Sequence, residues 1–243
     1  MSPTKPRFAG SAERPRRNMT VPDFHGDIRM RPVNLHDVEI RAALRGQKCE
    51  IRRPLRVLEQ FGQIANLVDL SEGQRDQWQF SKYASPDRSK YSLSGKQLLE
   101  RSPYGPAGTL LAVNEYWVNT AIAGETPRVL YRADLPTKEE RMAAHAQGLT
   151  WSNKSDPRPV PPRLVFRVVD VWIDQLQPMV GLQLRNEGWL DARIPKPSHQ
   201  QIMESRRAFV DAWDRAVMDD NSRWNKNPWV WVMSVQRVRE VGQ

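Results

Sequence analysis

Lys48, Glu50 and Arg52 recur at every second residue in the stretch from Lys48 to Arg53. On a strand, that period puts them on one face and Cys49, Ile51 and Arg53 on the other, before Pro54 ends regular pairing. A face that gathers cations around a carboxylate suits contact with phosphate or with base edges, because ammonium and guanidinium groups combine several donors with positive charge. The same arrangement also suits an ion-pair network that ties neighbouring elements together, and the alternation leaves both readings open.

Other reactive side chains narrow the chemistry. Cys49 is the sole cysteine, which permits no internal disulfide and fits a reducing compartment. As a lone thiol it reads first as a small buried hydrophobe. His25, His36, His145 and His199 are scattered without ligand spacing, so no metal site is expected. Ser94-Gly95-Lys96 lacks the preceding glycine of a phosphate-cradling loop, which argues against a nucleotide hydrolase and leaves no cofactor to expect. Of the nine tryptophans, Trp172, Trp213, Trp229 and Trp231 fall on apolar faces and read as core. Trp78, Tyr83 and Tyr91 stand among basic residues, where they could stack on bases or anchor a loop.

With 37 Lys plus Arg against 28 Asp plus Glu, the net charge of +9 favours a polyanionic partner. No apolar run is long enough to cross a bilayer, and the N-terminal positive charge is not followed by an apolar stretch with a cleavage site. The expectation is a cytoplasmic protein without a membrane partner, its oligomeric state left open. Residues 1–26 carry Lys5, Arg7, Arg14, Arg16 and Arg17 among prolines and small residues, the composition of a basic flexible tail. Residues 27–243 read as one domain.

Within that domain, Asn34 is expected to cap a helix from Leu35 to Arg45 that Gly46 terminates, and the Lys48–Arg53 strand follows. Residues 70–102 read as a long polar excursion with a short helix at its end. The turn cluster Tyr104, Gly105, Pro106 and Gly108 launches a strand from Thr109 to Val113, and another runs from Arg128 to Arg132. Residues 133–162 read as loop because of Pro157, Pro159, Pro161 and Pro162. The strand Arg163–Ile173 is apolar on both faces; a helix capped by Ser198 runs to about Asp219, and Asn227-Pro228 turns into a last strand from Trp229 to Val238. Strands that do not alternate with amphipathic helices predict an α+β barrel rather than a doubly wound sheet.

The run Ala43, Leu44, Arg45, Gly46, Gln47, Lys48, Cys49, Glu50, Ile51, Arg52, Arg53 resembles the signature of the ASCH family of PUA-like barrels. Further blocks in the same order are similar to a phage-encoded branch of that family: Tyr104, Gly105 and Gly108 to Leu111, Val113, Glu115 and Trp117; Tyr131 to Asp134; Leu164 to Leu176 with Glu187 and Gly188; and Trp213 and Asp214 to Trp224, Asn225, Asn227 and the strand from Pro228 to Val232. The resemblance implies a PUA-like mixed β-barrel with flanking helices, insertions at about 70–102 and 133–162, and a bacterial host cell as its setting. It also implies a basic cleft for nucleic acid, RNA above all, or for a modified nucleoside, with Lys48, Arg52, Arg53, Arg45 and Arg132 as contacts.

An alternative activity comes with the same resemblance. Lys48 and Glu115 match positions that related amidohydrolases use on an N-acylated cytosine, together with a threonine nucleophile. Here the third position after Lys48 is Ile51, which has no hydroxyl, so water activated by Glu115, or Cys49, would have to attack. Ala112 and Asn114 stand where the phage branch commonly shows Trp and Arg, removing one ring and one cation from the expected pocket. A third expectation is a phage assembly or interaction protein that uses the barrel only as scaffold.

Overall fold

The computed structural model describes residues 30–56, 64–69, 77–82, 90–120, 128–135, 137–152 and 162–238. The basic tail 1–26, Tyr83 and the prolines 157, 159 and 161 lie outside the described residues.

The chain begins with strand β1 (Arg31–Asn34), helix α1 (Asp37–Leu44) and strand β2 (Glu50–Pro54). Next come three strands, β3 (Ile64–Asp69), β4 (Gln77–Lys82) and β5 (Lys90–Ser94), and helix α2 (Gly95–Leu99). Strands β6 (Leu110–Asn114), β7 (Trp117–Asn119) and β8 (Val129–Tyr131) follow, then helix α3 (Lys138–Ala146) and the long strand β9 (Val165–Gln175). Helices α4 (Gly181–Asn186) and α5 (His199–Ala216) and the closing strand β10 (Trp229–Arg237) complete it.

The protein is a mixed α+β fold around a five-stranded sheet ordered β1-β6-β9-β10-β2. β1 runs parallel to β6 with Val33 opposite Val113, whereas the other pairings are antiparallel, with Met233 of β10 opposite Ile51 of β2. The backbone ladder leaves β1 and β2 as the two edges, so the hydrogen bonding does not close a barrel among the described residues. The sheet nevertheless curls: Val33 of one edge and Ile51 of the other share a single apolar cluster with Ile40, Leu111, Phe166, Val168 and Met233. A side-chain bridge spans the seam, because Arg53 Nη2 donates to the Asn34 carbonyl.

β9 and β10 are the backbone of the core: β10 is buried on both faces through Val230, Trp231, Val232 and Met233, whereas β9 buries Phe166 and Val168 and leaves Val169 exposed. Alternate residues of β10 serve different clusters: Met233 and Val235 face the inside of the curl, while Val230 and Val232 pack with Phe209 and Trp213 of α5 and with Leu184 of α4. α5 starts where Ser198 Oγ accepts the Gln201 N–H at 3.2 Å and the Gln201 side chain accepts the Ser198 N–H at 2.8 Å. Trp213 adds a buried bond, its indole N–H donating to the Ser222 carbonyl at 2.8 Å.

Three expectations from sequence need correction. Asn34 does not cap α1; it ends β1, and Glu39 Oε2 accepts the His36 N–H at 2.8 Å as the helix begins at Asp37. The excursion is not irregular, since β3-β4-β5 form an antiparallel sheet in which the Gln77-Trp78-Gln79-Phe80 alternation supplies the middle strand. Its terminal helix, α2, is present and seats Leu98 against Trp231, both fully buried. Residues 133–162 are not all loop: Thr137 Oγ1 accepts the Glu140 N–H at 3.1 Å and starts α3. Among the described residues no helix is long and apolar enough to cross a membrane.

Gly188, just past α4, has φ +84° and lies so close to α1 that a Cβ there would come within 2.5 Å of Ala42 Cβ. Gly188→Ala therefore adds backbone strain and a clash at once, and should cost about 2–4 kcal/mol. Gly148, also left-handed at φ +78° but with open space around it, should lose only about 1 kcal/mol as Gly148→Ala. Urea denaturation of both variants checks the difference.

Candidate functional site

The alternation of β2 carries through to the structure. Lys48, immediately before the strand, has no exposed side-chain surface, and its ammonium lies 2.8 Å from Glu39 Oε1 and 2.8 Å from Glu187 Oε2. It also donates to the Glu187 main-chain carbonyl at 2.8 Å, so all three of its N–H donors are used. Arg52 shares Glu187 from the other side at 3.1 Å and reaches Glu50 at 2.9 Å. Asn186 donates to the second Glu50 oxygen at 2.8 Å, and the Cys49 N–H donates to the Asn186 carbonyl at 2.9 Å. This network locks α1, β2 and the end of α4 together.

Glu39 illustrates the electrostatic balance. Burial alone would push its carboxyl up, but Lys48, Arg53 and His36 outweigh that and hold it below the ordinary value. His36 moves down, because burial disfavours its imidazolium more than Glu39 favours it. Cys49 is exposed rather than a buried hydrophobe, but partial desolvation and the neighbouring Glu50 still raise its thiol, which makes it a poor nucleophile near neutral pH.

Beside the network lies a cavity of about 670 Å³. It sits where the ends of both edge strands meet, with Asn34, Arg52 and Arg53 in its wall. The C-terminal end of α5 contributes Trp213 and Arg215, and Tyr104, Tyr116, Trp189 and Phe209 supply further rings. Five arginines line it, at 52, 53, 56, 132 and 215, against the carboxylates of Glu39 and Glu187. Those two acids are already engaged by Lys48 and Arg52. Arg53 donates to the carbonyls of Arg52 and Asn34, and neither Arg53 nor Arg215 has a carboxylate partner among the described residues.

A second network stands on η-turn residues Arg132–Asp134. Arg132 makes a two-point contact with Asp37, Nε to Oδ2 at 2.8 Å and Nη2 to Oδ1 at 3.1 Å, and its guanidinium lies over the Tyr116 ring, 3.7 Å from the centroid. Arg163 repeats the design: it holds the buried Glu115 through bonds of 2.7–3.1 Å, reaches Asp134 at 2.8 Å, and lies 3.9 Å over Tyr131.

The sequence-derived residues thus separate. Lys48 and Arg52 converge on Glu187; Arg52, Arg53 and Arg132 line the cavity; Lys48 is behind its wall. Arg45 is exposed, bonds Gln47 at 3.2 Å and is not part of the lining. Lys48 and Glu115 share no ion pair among the described residues, each being saturated by other partners. Trp213 is core and cavity wall together, a double role that an apolar helical face does not reveal. The sequence reading missed Glu39, Arg163 and Arg215 as site residues, and it named Glu187 with Gly188 only as part of the family resemblance. Among the described residues, no three His, Cys, Asp or Glu side chains are grouped to hold a metal.

Comparison with family models, with curated proteins and with solved structures returns no match to this chain.

Replacing Lys48 by Met would leave two buried carboxylates without their common cation, and the variant should lose about 3–5 kcal/mol at neutral pH. Protonation of Glu39 would relieve that repulsion, so the deficit should shrink as the pH is lowered in urea melts. The native chain should behave oppositely. Glu39 sits below its ordinary 4.5, so the unfolded chain takes up the proton first. Its stabilising contribution is complete above about pH 4.5 and fades as pH falls through the folded-state value.

Proposed function

We propose that the cavity binds nucleic acid, presented as a single strand or an unpaired nucleotide, with RNA the expected partner. The observation that carries this reading is Arg53: a half-buried guanidinium in the wall of a concave, aromatic-lined cavity, held by two main-chain carbonyls and matched to no carboxylate among the described residues. Such a cation has its orientation fixed and its charge unspent, which suits a phosphate.

The lining favours a nucleotide over a simple anion. About 670 Å³ is the size of small-ligand sites, too small for a duplex but ample for a nucleotide unit. Tyr104 and Trp189 bring rings to the lining, and Asn34 and Asn114 bring amides of the kind that read base edges. The basic sequence of residues 1–26 would add attraction to phosphates without selectivity. The curled sheet, with its two edges bridged by Arg53, is compatible with a PUA-like barrel and is the reason we favour that likeness. Separate saturation of Lys48 and Glu115 favours binding over amide hydrolysis, because neither group is placed to pass a proton to the other.

Fluorescence anisotropy with a labelled single-stranded RNA tests the reading. Log affinity should fall with log salt by roughly 0.7 for each phosphate neutralised. Arg53→Ala and Arg215→Ala should each weaken binding and reduce that slope by about one phosphate's worth. A salt-independent affinity, or none at all, would overturn it.

A further inference from the structure

We infer that Arg132 is a stacking platform for a nucleobase, and that it, rather than any phosphate-binding arginine, makes the cavity distinguish a base-bearing strand from bare sugar-phosphate. The inference rests on the reading that the cavity takes nucleic acid.

A guanidinium is planar and has two faces. One face of the Arg132 guanidinium lies on Tyr116, with Cζ 3.7 Å from the ring centroid, and the main-chain N–H of Arg132 donates to the Tyr116 carbonyl at 2.9 Å. Asp37 grips the edge at two points, 2.8 and 3.1 Å, which fixes the plane. The side chain lines the cavity and keeps 29 % of its surface exposed, so the face away from Tyr116 is available to a ligand. Nη1 has no partner among the described residues and can donate to an acceptor on the same ligand.

Charge divides the arginines by role. Asp37 neutralises Arg132, so its pull on a phosphate is weak, whereas its flat surface is unaffected. Arg53 and Arg215 are uncompensated and supply the phosphate attraction. Arg163 serves as an internal comparison. It is built alike, on Tyr131 and across Glu115, but it lies outside the cavity lining and has only a structural part.

The test uses the full chain and two labelled single strands with equal phosphate number, one carrying bases and one abasic at every internal position. The native chain should bind the base-bearing strand about tenfold more tightly, within the range for one stacked base, with equal salt slopes for the two. Arg132→Lys keeps the charge but has no plane; it should abolish the tenfold difference between the two strands. Arg163→Lys should retain the difference. On the native chain, the Arg132 Nε–H proton resonance should move upfield on adding the base-bearing strand and not the abasic one, a measurement that does not depend on any variant folding. Equal affinity of the native chain for both strands, or a tenfold difference that survives in Arg132→Lys, overturns the platform and leaves nucleic-acid binding standing. Failure to bind either strand removes both.

Discussion

The structure depends on an ammonium group deprived of water. Lys48 has no exposed side-chain surface, and a buried charge of that kind is tolerated only when nearby acceptors replace its hydration. Glu39 from the neighbouring α1 and Glu187 from beyond α4 do so together, which brings a segment 139 residues away onto the start of β2. Gly188 makes the approach possible, because any side chain at that point would meet Ala42. Arg52 is then held by the other oxygen of Glu187, and strand alternation turns Arg53 away from the network toward the carbonyl of Asn34. The bridge across the two sheet edges thus stands on the strand face opposite the Lys48 network.

The cavity beside this network inherits a division among its cations. Arg52 and Arg132 have carboxylates at close range, and their charges are largely spent on holding the fold. Arg53 and Arg215 have none among the described residues, so the positive potential comes from them. Aromatic walls lower the local dielectric and strengthen that potential at the place where an anion would sit. Fixed geometry also matters. An arginine seated on tyrosine and gripped by an acid loses little rotamer freedom when a ligand arrives.

Much of the local structure is legible from residue types. The both-face apolar pattern of β10, the Ser198 start of α5, the Gly46 stop after α1 and the charged face of Lys48, Glu50 and Arg52 are all local patterns, and each appears in the structure; the same pattern in β9 does not, since Val169 is exposed. The misreadings have physical causes. Asn34 has a capping side chain, but its residue belongs to β1, a strand made by parallel pairing with β6 about 80 residues away. The prolines at 157, 159, 161 and 162 follow α3 in sequence, and the Thr137–Glu140 capping box that starts the helix is a separate local signal. The alternation around Trp78 was hidden by the polar residues between its rings.

By itself, the sequence determined the basic character, the presence of both helices and strands, and the concentration of charge on one face of β2, because these follow from composition and from periods of two and 3.6 residues. Only the tertiary structure decided which charges are spent. Whether Lys48 is a catalytic group or a buried strut depends on Glu39 and Glu187 meeting it, and whether Arg132 grips a phosphate or presents a flat face depends on Asp37 and Tyr116. Most of these pairings join residues far apart in sequence, Lys48 to Glu187 across 139 positions and Arg132 to Asp37 across 95, and no local periodicity encodes them.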